Sequence, residues 1–252
     1  MSELQKRIQK VQRRESGARM GFGPVSKELP RAMLLIARAA DAAGAKASVE
    51  AGADLALIDA ADASAAATAL AALDKKAGAG AVVPSLDEAG AAALRAAGCD
   101  FVVSGLATTA AAAVKTDEMG QVVVASSALD DTTLRALGPL QLDALFLERE
   151  NGPMTLGQQL EVVRIASLSN CVLLVTTGVE VSLQELRVLR DSGCAAVVIP
   201  AGASKEAIGQ LVERLKAVPP PRKGGKKEHD IAMVPSLASH AEEHDHDDED
   251  DE

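Results

Sequence analysis

Short apolar runs alternate with longer, partly polar segments eight times between residues 33 and 202. Most of the runs are almost continuously apolar, which is typical of strands that are covered on both faces in a parallel sheet. We therefore predict eight parallel strands. The runs are MLLIA (33–37), DLALIDA (54–60), GAVVPS (80–85), DFVVSG (100–105), QVVVASS (121–127), DALFLE (143–148), VLLVTTG (172–178) and AAVVIPAG (195–202).

The segments between the runs have helical character, as in 85–98, 156–169 and 182–193. Several begin with a residue that favours a helix N-cap and end with a glycine that suits the position after the last turn. Eight such units in about 185 residues, without a long insertion, favour a closed barrel over an open sheet. We predict an α/β chain with a single (β/α)8 barrel over residues 18–218. The predicted N-caps are Asp62, Ser85, Ser182 and Ser204, and the predicted terminal glycines are Gly52, Gly98 and Gly193.

Residues 1–17 form a separate predicted element, a basic amphipathic helix that carries Leu4, Ile8 and Val11 on one face. One interpretation is a helix packed across the bottom of the barrel. The other is a helix that docks a protein partner.

Residues 219–252 differ in composition from the rest of the chain. A Pro- and Lys-rich linker leads to a His-, Asp- and Glu-rich end, which we expect to be disordered because like charges repel and little apolar surface is available to bury. The short apolar segment 231–237 within it is either idle, folded loosely on the barrel, or a docking peptide. The two ends of the chain are thus the predicted contacts for a homo-oligomer or a protein partner.

The charge of the chain is concentrated at this end. Nine acidic residues and no Lys or Arg occur in 236–252, so the formal net charge of −10 leaves about −1 for the rest. No basic face interleaved with aromatic residues occurs, which argues against nucleic-acid binding. No signal peptide and no apolar stretch long enough for a bilayer are present, so we expect a cytoplasmic protein without membrane contact.

Composition indicates which residues form the core, and sequence context indicates the role of the three cysteines. With no Trp, no Tyr and three Phe, the core must consist of Ala, Val, Leu and Ile. Cys99, Cys171 and Cys194 each begin an apolar run and have no neighbouring His or second Cys. We interpret them as small buried hydrophobic residues in a reducing compartment.

In a (β/α)8 barrel, chemistry is located at the carboxyl ends of the strands. Asp59 and Glu148 are the only carboxylates that end an apolar run, and we select them as candidate catalytic residues. A desolvated carboxylate can transfer protons or bind a divalent cation. The alternative is a salt bridge with Arg38 or Arg149 that stabilises the mouth of the barrel.

The predicted barrel lacks His, and none of its strand runs ends in Lys, and these two absences limit the reactions it could catalyse. All four histidines lie in the tail, at positions 229, 240, 244 and 246, which excludes His-based acid–base catalysis and a His-ligated metal in the barrel. We assign no metal site. No Lys ends a strand run, which argues against a Schiff-base aldolase. In the tail, His and Asp would support only weak, unselective metal binding.

The segment CVLLVTTGVEVSLQELRVLRDSGCAAVVIPAGASKEAIGQLVERL (171–215) resembles the last two βα units of phosphate-binding TIM barrels. These include indole-glycerol-phosphate synthase, the histidine-biosynthesis isomerases and FMN-dependent nitronate monooxygenases. A weaker similarity extends to residues 45–60. The resemblance implies that loop amides and a helix N-terminus bind a phosphate. The matching positions are Thr177 and Gly178 after the seventh run, and Ala201, Gly202 and Ser204 after the eighth.

The chain departs from that family pattern in two places. The seventh run ends in TTGVE, without the usual paired glycines, and Pro200 removes one backbone donor from the eighth loop. No catalytic residue of those families has a counterpart here.

Two functional hypotheses follow. The first is an enzyme-like barrel that binds a phosphorylated small molecule or FMN, with Arg38 helping to neutralise the anion. Its reaction class remains open between lyase, isomerase and oxidoreductase. The second is a non-catalytic barrel that serves as a scaffold or as a subunit of a larger complex.

Overall fold

A computed structural model describes residues 1–15, 31–73, 78–113, 118–150 and 152–219. Eight parallel strands follow one another around a closed barrel in chain order, and β8 pairs with β1 to close it. All eight predicted strands are confirmed. The first strand continues two residues beyond its predicted apolar run, so that Arg38 lies within the strand. The strands are β1 (Leu34–Ala39), β2 (Leu55–Asp59), β3 (Ala79–Val83), β4 (Phe101–Gly105), β5 (Gly120–Ala125), β6 (Ala144–Leu147), β7 (Leu173–Thr176) and β8 (Cys194–Ile199).

Among the described residues, one α-helix precedes the barrel and seven others follow strands. The fourth unit differs, because the described residues between β4 and β5 form two short 3-10 helices, Leu106–Thr108 and Ala111–Ala113. The α-helices are α1 (Glu3–Glu15), α2 (Ala42–Glu50), α3 (Ala63–Ala71), α4 (Glu88–Ala96), α5 (Asp131–Leu137), α6 (Leu156–Ser169), α7 (Leu183–Asp191) and α8 (Lys205–Ala217).

Three of the four predicted N-caps are confirmed. The side chains of Asp62, Ser182 and Ser204 each accept a hydrogen bond from the backbone amide three residues later. Ser85 was a wrong prediction, since Asp87 caps α4. The reason is a β-bridge of Leu86 with Thr109, which keeps the backbone extended beyond Ser85.

The predicted terminal glycines adopt the left-handed conformation, with φ of 110° at Gly52, 85° at Gly98 and 96° at Gly193. A residue with a Cβ would be strained at these positions. The helix-to-strand turns that recur along the sequence therefore have a common geometry.

Side chains of the described strands fill the barrel interior. Ile36, Leu57 and Phe146 belong to one buried cluster that lines the inside of the strands. Gly80 makes room for the ring of Phe101, because a Cβ at position 80 would lie 2.5 Å from the ring atom Cζ. Since strand side chains alternate, the positions two residues after this layer also face inward at the carboxyl ends of the strands.

The N-terminal helix α1 packs across the bottom of the barrel, as one of the two interpretations predicted. Leu4, Ile8 and Val11 are buried and belong to the same cluster as the barrel interior. The carboxylate of Asp100, just before β4, accepts hydrogen bonds from the backbone amides of Glu3 and Leu4 at 2.6 and 2.9 Å. The apolar face of α1 is thus occupied by the barrel rather than open to a partner.

Cys99 and Cys194 are buried, as predicted, whereas Cys171 is half-buried. Burial raises the pKa of the Cys99 thiol to about 12 and also raises the pKa of Cys194. Both thiols therefore stay protonated at neutral pH and act as small apolar groups. Residues 220–252 of the predicted linker and tail, with the apolar segment 231–237, lie outside the described residues, as do residues 16–30. Within the described part of the chain, no helix has the length and apolar character needed to cross a membrane.

Candidate active site

Arg38 connects the two candidate catalytic carboxylates at the mouth of the barrel. Its Nε lies 3.0 Å from both carboxylate oxygens of Asp59, and its Nη2 lies 2.9 Å from Oδ1 of the same residue. Its Nη1 donates to Oε1 of Glu148 at 2.8 Å. One guanidinium thus binds a carboxylate from β2 and a second from the end of β6.

The strand register explains how these residues meet. Arg38 pairs with Leu57 across β1 and β2, so Asp59 lies two residues further along the neighbouring strand and faces the same way. Glu148 directly follows β6, three strands round the barrel from β1. Because Arg38 has a long side chain, it spans the opening and reaches both acids.

The network is partly open to solvent. The exposed fractions of the side chains are 25% for Arg38, 34% for Asp59 and 57% for Glu148. Hydrogen bonding to Asp59 is the main cause that raises the pKa of Arg38 above its ordinary value. Arg38 therefore remains charged, and Glu148 is the acid most accessible to a ligand.

A cavity of about 360 Å³ opens above this network. Arg149 lines it but is bound away from Glu148, since its Nη1 donates to Oε1 of Glu185 at 2.9 Å on α7. Its side chain is only 6% exposed, and its Nε has no hydrogen-bond partner among the described residues. The salt-bridge alternative in the sequence analysis named Arg38 or Arg149, and the structure places Arg38 beside both acids. The cavity is lined by Arg38, Glu148, Arg149, Glu150, Thr176, Thr177 and Pro200.

A second cavity of about 240 Å³ shares Arg38 with the first. It lies between the loop after β1 and the loop after β8, next to the N-terminus of α8. Gly202 lines it with a φ of +81°, and no atom lies within 4 Å of the place where a Cβ would stand. Lys205 also borders this cavity, together with the N-terminal part of α2 that includes Asp41 and Gly44.

Of the predicted phosphate-binding residues, Thr177, Ala201 and Gly202 border one of these cavities, whereas Gly178 and Ser204 border neither. Thr177 borders the first, but it is buried and its amide donates to the carbonyl of Val198 at 2.9 Å. Ala201 and Gly202 border the second. Gly178 is half-buried and borders neither, and its carbonyl accepts from the amide of Val181. The loop after β8 therefore offers more free backbone than the loop after β7.

Ser204 and Glu206 occupy the N-terminus of α8. The Ser204 hydroxyl caps the helix by accepting from the amide of Ala207 at 3.2 Å. Hydrogen bonding to its own backbone amide, and secondarily to the Ser204 hydroxyl, lowers the pKa of the Glu206 carboxyl below its ordinary value. The first turn of α8 thus carries a carboxylate of the protein itself, next to the Ser204 cap where the resemblance places a phosphate.

Sequence reasoning missed Lys205, Glu206 and Glu185. A positive charge at the start of α8, directly after the predicted Ser204 cap, was visible in the sequence. The partnership of Arg149 with Glu185 joins residues 36 positions apart and could be found only from the fold.

Other polar features of the described residues do not form a comparable centre. A more open cavity of about 550 Å³ lies outside the barrel between α3 and α4, where Asp62 and Asp87 are occupied as helix caps. Among the residues that the structure describes, no group of three or more His, Cys, Asp or Glu side chains is placed to hold a metal ion.

The architecture and the position of this network define a TIM barrel with a polar mouth. Solved structures with the same fold include tryptophan synthase from M. tuberculosis, with a TM-score of 0.60 and 15% identity over 86% of this chain and 99% of that one. For phosphoribosyl anthranilate isomerase from Thermus thermophilus, the TM-score is 0.54 and the identity is 13%, over 74% of this chain and 100% of that one. For dihydropteroate synthase from Yersinia pestis, the TM-score is 0.52 and the identity is 12%, over 74% of this chain and 91% of that one.

These similarities confirm the TIM-barrel resemblance at the level of the fold. At such low identity they carry over no residue and indicate no specific family. No model of a protein family matches the sequence, and no curated protein matches it.

Proposed function

We propose that this barrel binds a small phosphorylated molecule across the two cavities that share Arg38. The phosphate would lie in the smaller cavity beside Gly202, and the rest of the ligand would extend into the larger cavity over Glu148. The position of Arg38, which borders both cavities and binds both acids, is the observation that carries the proposal.

The smaller cavity has the features that an anion requires. Lys205 and Arg38 supply positive charge, and α8 is a helix of 13 residues whose N-terminal amides favour a negative group. Gly202 leaves the backbone open to close approach, because no Cβ covers it. The two cavities together have a size typical of small-molecule sites.

The larger cavity would hold the reacting part of the ligand. Glu148 is the more exposed acid and makes one contact with Arg38, so it is the better candidate for proton transfer. Asp59 receives three contacts from Arg38 and would orient the guanidinium. Proton transfer next to an anion suits a lyase or an isomerase. The name of phosphoribosyl anthranilate isomerase likewise states a phosphorylated substrate.

Titration calorimetry with inorganic phosphate tests the anion site. Lys205→Gln and Arg38→Gln should each weaken phosphate binding about tenfold, because each removes a charge from the cavity. Glu206→Gln should strengthen it, because the competing internal carboxylate is gone. Glu213→Gln is the matched control, since it removes the same charge from the far end of α8, where Glu213 pairs with Lys216.

The outcome for Lys205→Gln decides the test, because this exposed residue lies outside the Arg38 network and its loss leaves the fold intact. If Lys205→Gln and Glu206→Gln bind phosphate as the Glu213→Gln control does, the site at α8 is not where an anion binds. The proposal would then be wrong.

A further inference from the structure

The two cations that line the larger cavity are already neutralised by carboxylates outside its lining. Arg38 is bound by Asp59, and Arg149 is bound by Glu185 on α7 at 2.9 Å. The one nitrogen of Arg149 that has no partner among the described residues, Nε, is buried, so a ligand in the cavity does not meet it. Neither cation therefore adds net positive charge to the cavity.

Two acids of the lining remain in excess. Glu148 offers only Oε1 to Arg38, and its Oε2 has no contact among the described residues. Glu150 is exposed and forms no ion pair or hydrogen bond within the described part of the chain. With their bound partners included, the charged groups of the cavity are two cations and four carboxylates, so the cavity has a formal charge of −2.

Thr177 adds a further acceptor to these two acids. It is only 2% exposed and lines the cavity, and its hydroxyl has no hydrogen-bond partner among the described residues. The hydroxyl of the neighbouring Thr176 is occupied, because it accepts from the amide of Arg149 at 2.8 Å and donates to its carbonyl at 3.1 Å. Hydroxyls of buried residues are almost always hydrogen-bonded, so the unpaired one at Thr177 points to a ligand.

We propose that the larger cavity binds a primary ammonium group, so that this barrel selects phosphorylated amines among phosphorylated small molecules. The inference rests on the proposed function, which puts the phosphate in the smaller cavity. An ammonium has three N–H donors, and Glu148, Glu150 and Thr177 offer one acceptor group each. Alkyl amines are protonated at neutral pH, as Lys is with a pKa of about 10.4.

The same groups disfavour other occupants of the larger cavity. A second phosphate or a carboxylate would be repelled by the excess of acids. A divalent cation prefers six or more oxygen ligands, and no group of three acids within the described ranges is placed to hold one. A ligand with its phosphate beside Lys205 and its ammonium beside Glu150 matches the charge of both cavities.

Titration calorimetry of the full chain with two series of compounds tests the inference. One series consists of aminoalkyl phosphates with two to five carbons, and the other of alkyl phosphates of the same lengths. At the length that spans the two cavities, the amine should bind about tenfold more tightly than the alkyl compound. We expect this preference because each of the two partly exposed acids contributes about threefold.

Substitutions in the cavity should change the preference for the amine rather than phosphate binding itself. Glu150→Gln should lower the preference about threefold, and Thr177→Val should also lower it, because each removes an acceptor. The matched control is Glu180→Gln, an exposed acid that follows β7 at the same end of the barrel and lines neither cavity. Lys205→Gln should weaken both series by the same factor, since it acts on the phosphate.

The results separate failure of this inference from failure of the proposed function. If alkyl phosphates bind through Lys205 but the amines bind no more tightly at any length, the ammonium site is wrong and the anion site stands. The same holds if Glu180→Gln lowers the preference as much as Glu150→Gln, because the overall charge of the mouth would then be its cause. If neither series binds, both proposals are wrong.

Discussion

Nε of Arg38 lies 3.0 Å from both carboxylate oxygens of Asp59, and this contact holds the mouth of the barrel in one arrangement. The guanidinium is oriented by β2 while its free end reaches Glu148. One residue therefore determines both the charge and the shape of the mouth.

Arg38→Gln should lower the free energy of unfolding by about 1 kcal/mol, because it leaves two partly exposed carboxylates without their cation. Urea unfolding measures the change. Lys216→Gln is the control, since it removes an exposed pair with Glu213 that should contribute almost nothing. Equal effects of the two substitutions would show that the Arg38 network has no special role in stability.

Gly80→Ala should lower the free energy of unfolding by about 2 kcal/mol, because the new methyl group would lie 2.5 Å from the Phe101 ring inside the barrel. Gly209→Ala is the matched control. No atom lies within 4 Å of that Cβ, and position 209 is inside α8, so alanine should stabilise by about 0.5–1 kcal/mol. Thermal unfolding of the two variants should shift in opposite directions. A Gly80→Ala barrel as stable as the parent would contradict the described packing.

Asp100→Ala should loosen α1 from the bottom of the barrel, because the amides of Glu3 and Leu4 lose their acceptor. The loss of a helix N-cap contact of this kind costs about 1 kcal/mol. Hydrogen exchange of the α1 amides should become faster. In the Asp62→Ala control, which removes the cap of α3, exchange in α1 should keep its parental rate.

The stability of the bottom of the barrel should depend on pH through Asp143. Burial raises the pKa of Asp143 above its ordinary 3.8, although the Ser2 hydroxyl donates to its carboxylate at 3.1 Å. Such a group favours folding when it is protonated, so its stabilising effect is present below pH 3.8 and is lost as the pH rises through the folded value. Asp143→Asn should therefore match the parent at low pH and exceed it in stability at neutral pH.

The contribution of Asp130 to stability should depend on pH with the opposite sign to that of Asp143. The amide of Thr133 lowers the pKa of this N-cap carboxyl below 3.8, so its contribution is present above that pH and is lost as the pH falls through the folded value. Asp130→Asn should thus be less stable than the parent at neutral pH and equal to it in strong acid. Unfolding curves collected across this range that showed the same sign for both variants would contradict the assignment.

The strands could be predicted because each is an almost continuous apolar run. The cap of α4 at Asp87, in place of the predicted Ser85, could not be predicted, because the bridge between Leu86 and Thr109 joins residues 23 positions apart. The site was predicted as a set of residue types at the strand ends. Which cation binds which acid depends on how Arg38 spans the opening, and this follows from the closed barrel rather than from the sequence.

The central claim is that the mouth binds a phosphorylated small molecule. Native mass spectrometry of the chain purified gently from its own cells, before and after denaturation, tests it most directly. We predict an additional bound mass that matches a phosphosugar or FMN, is lost on denaturation and is missing from the Arg38→Gln and Lys205→Gln variants. A barrel that is empty in the parent chain, especially one found only within a defined complex, would contradict the claim and favour the scaffold hypothesis.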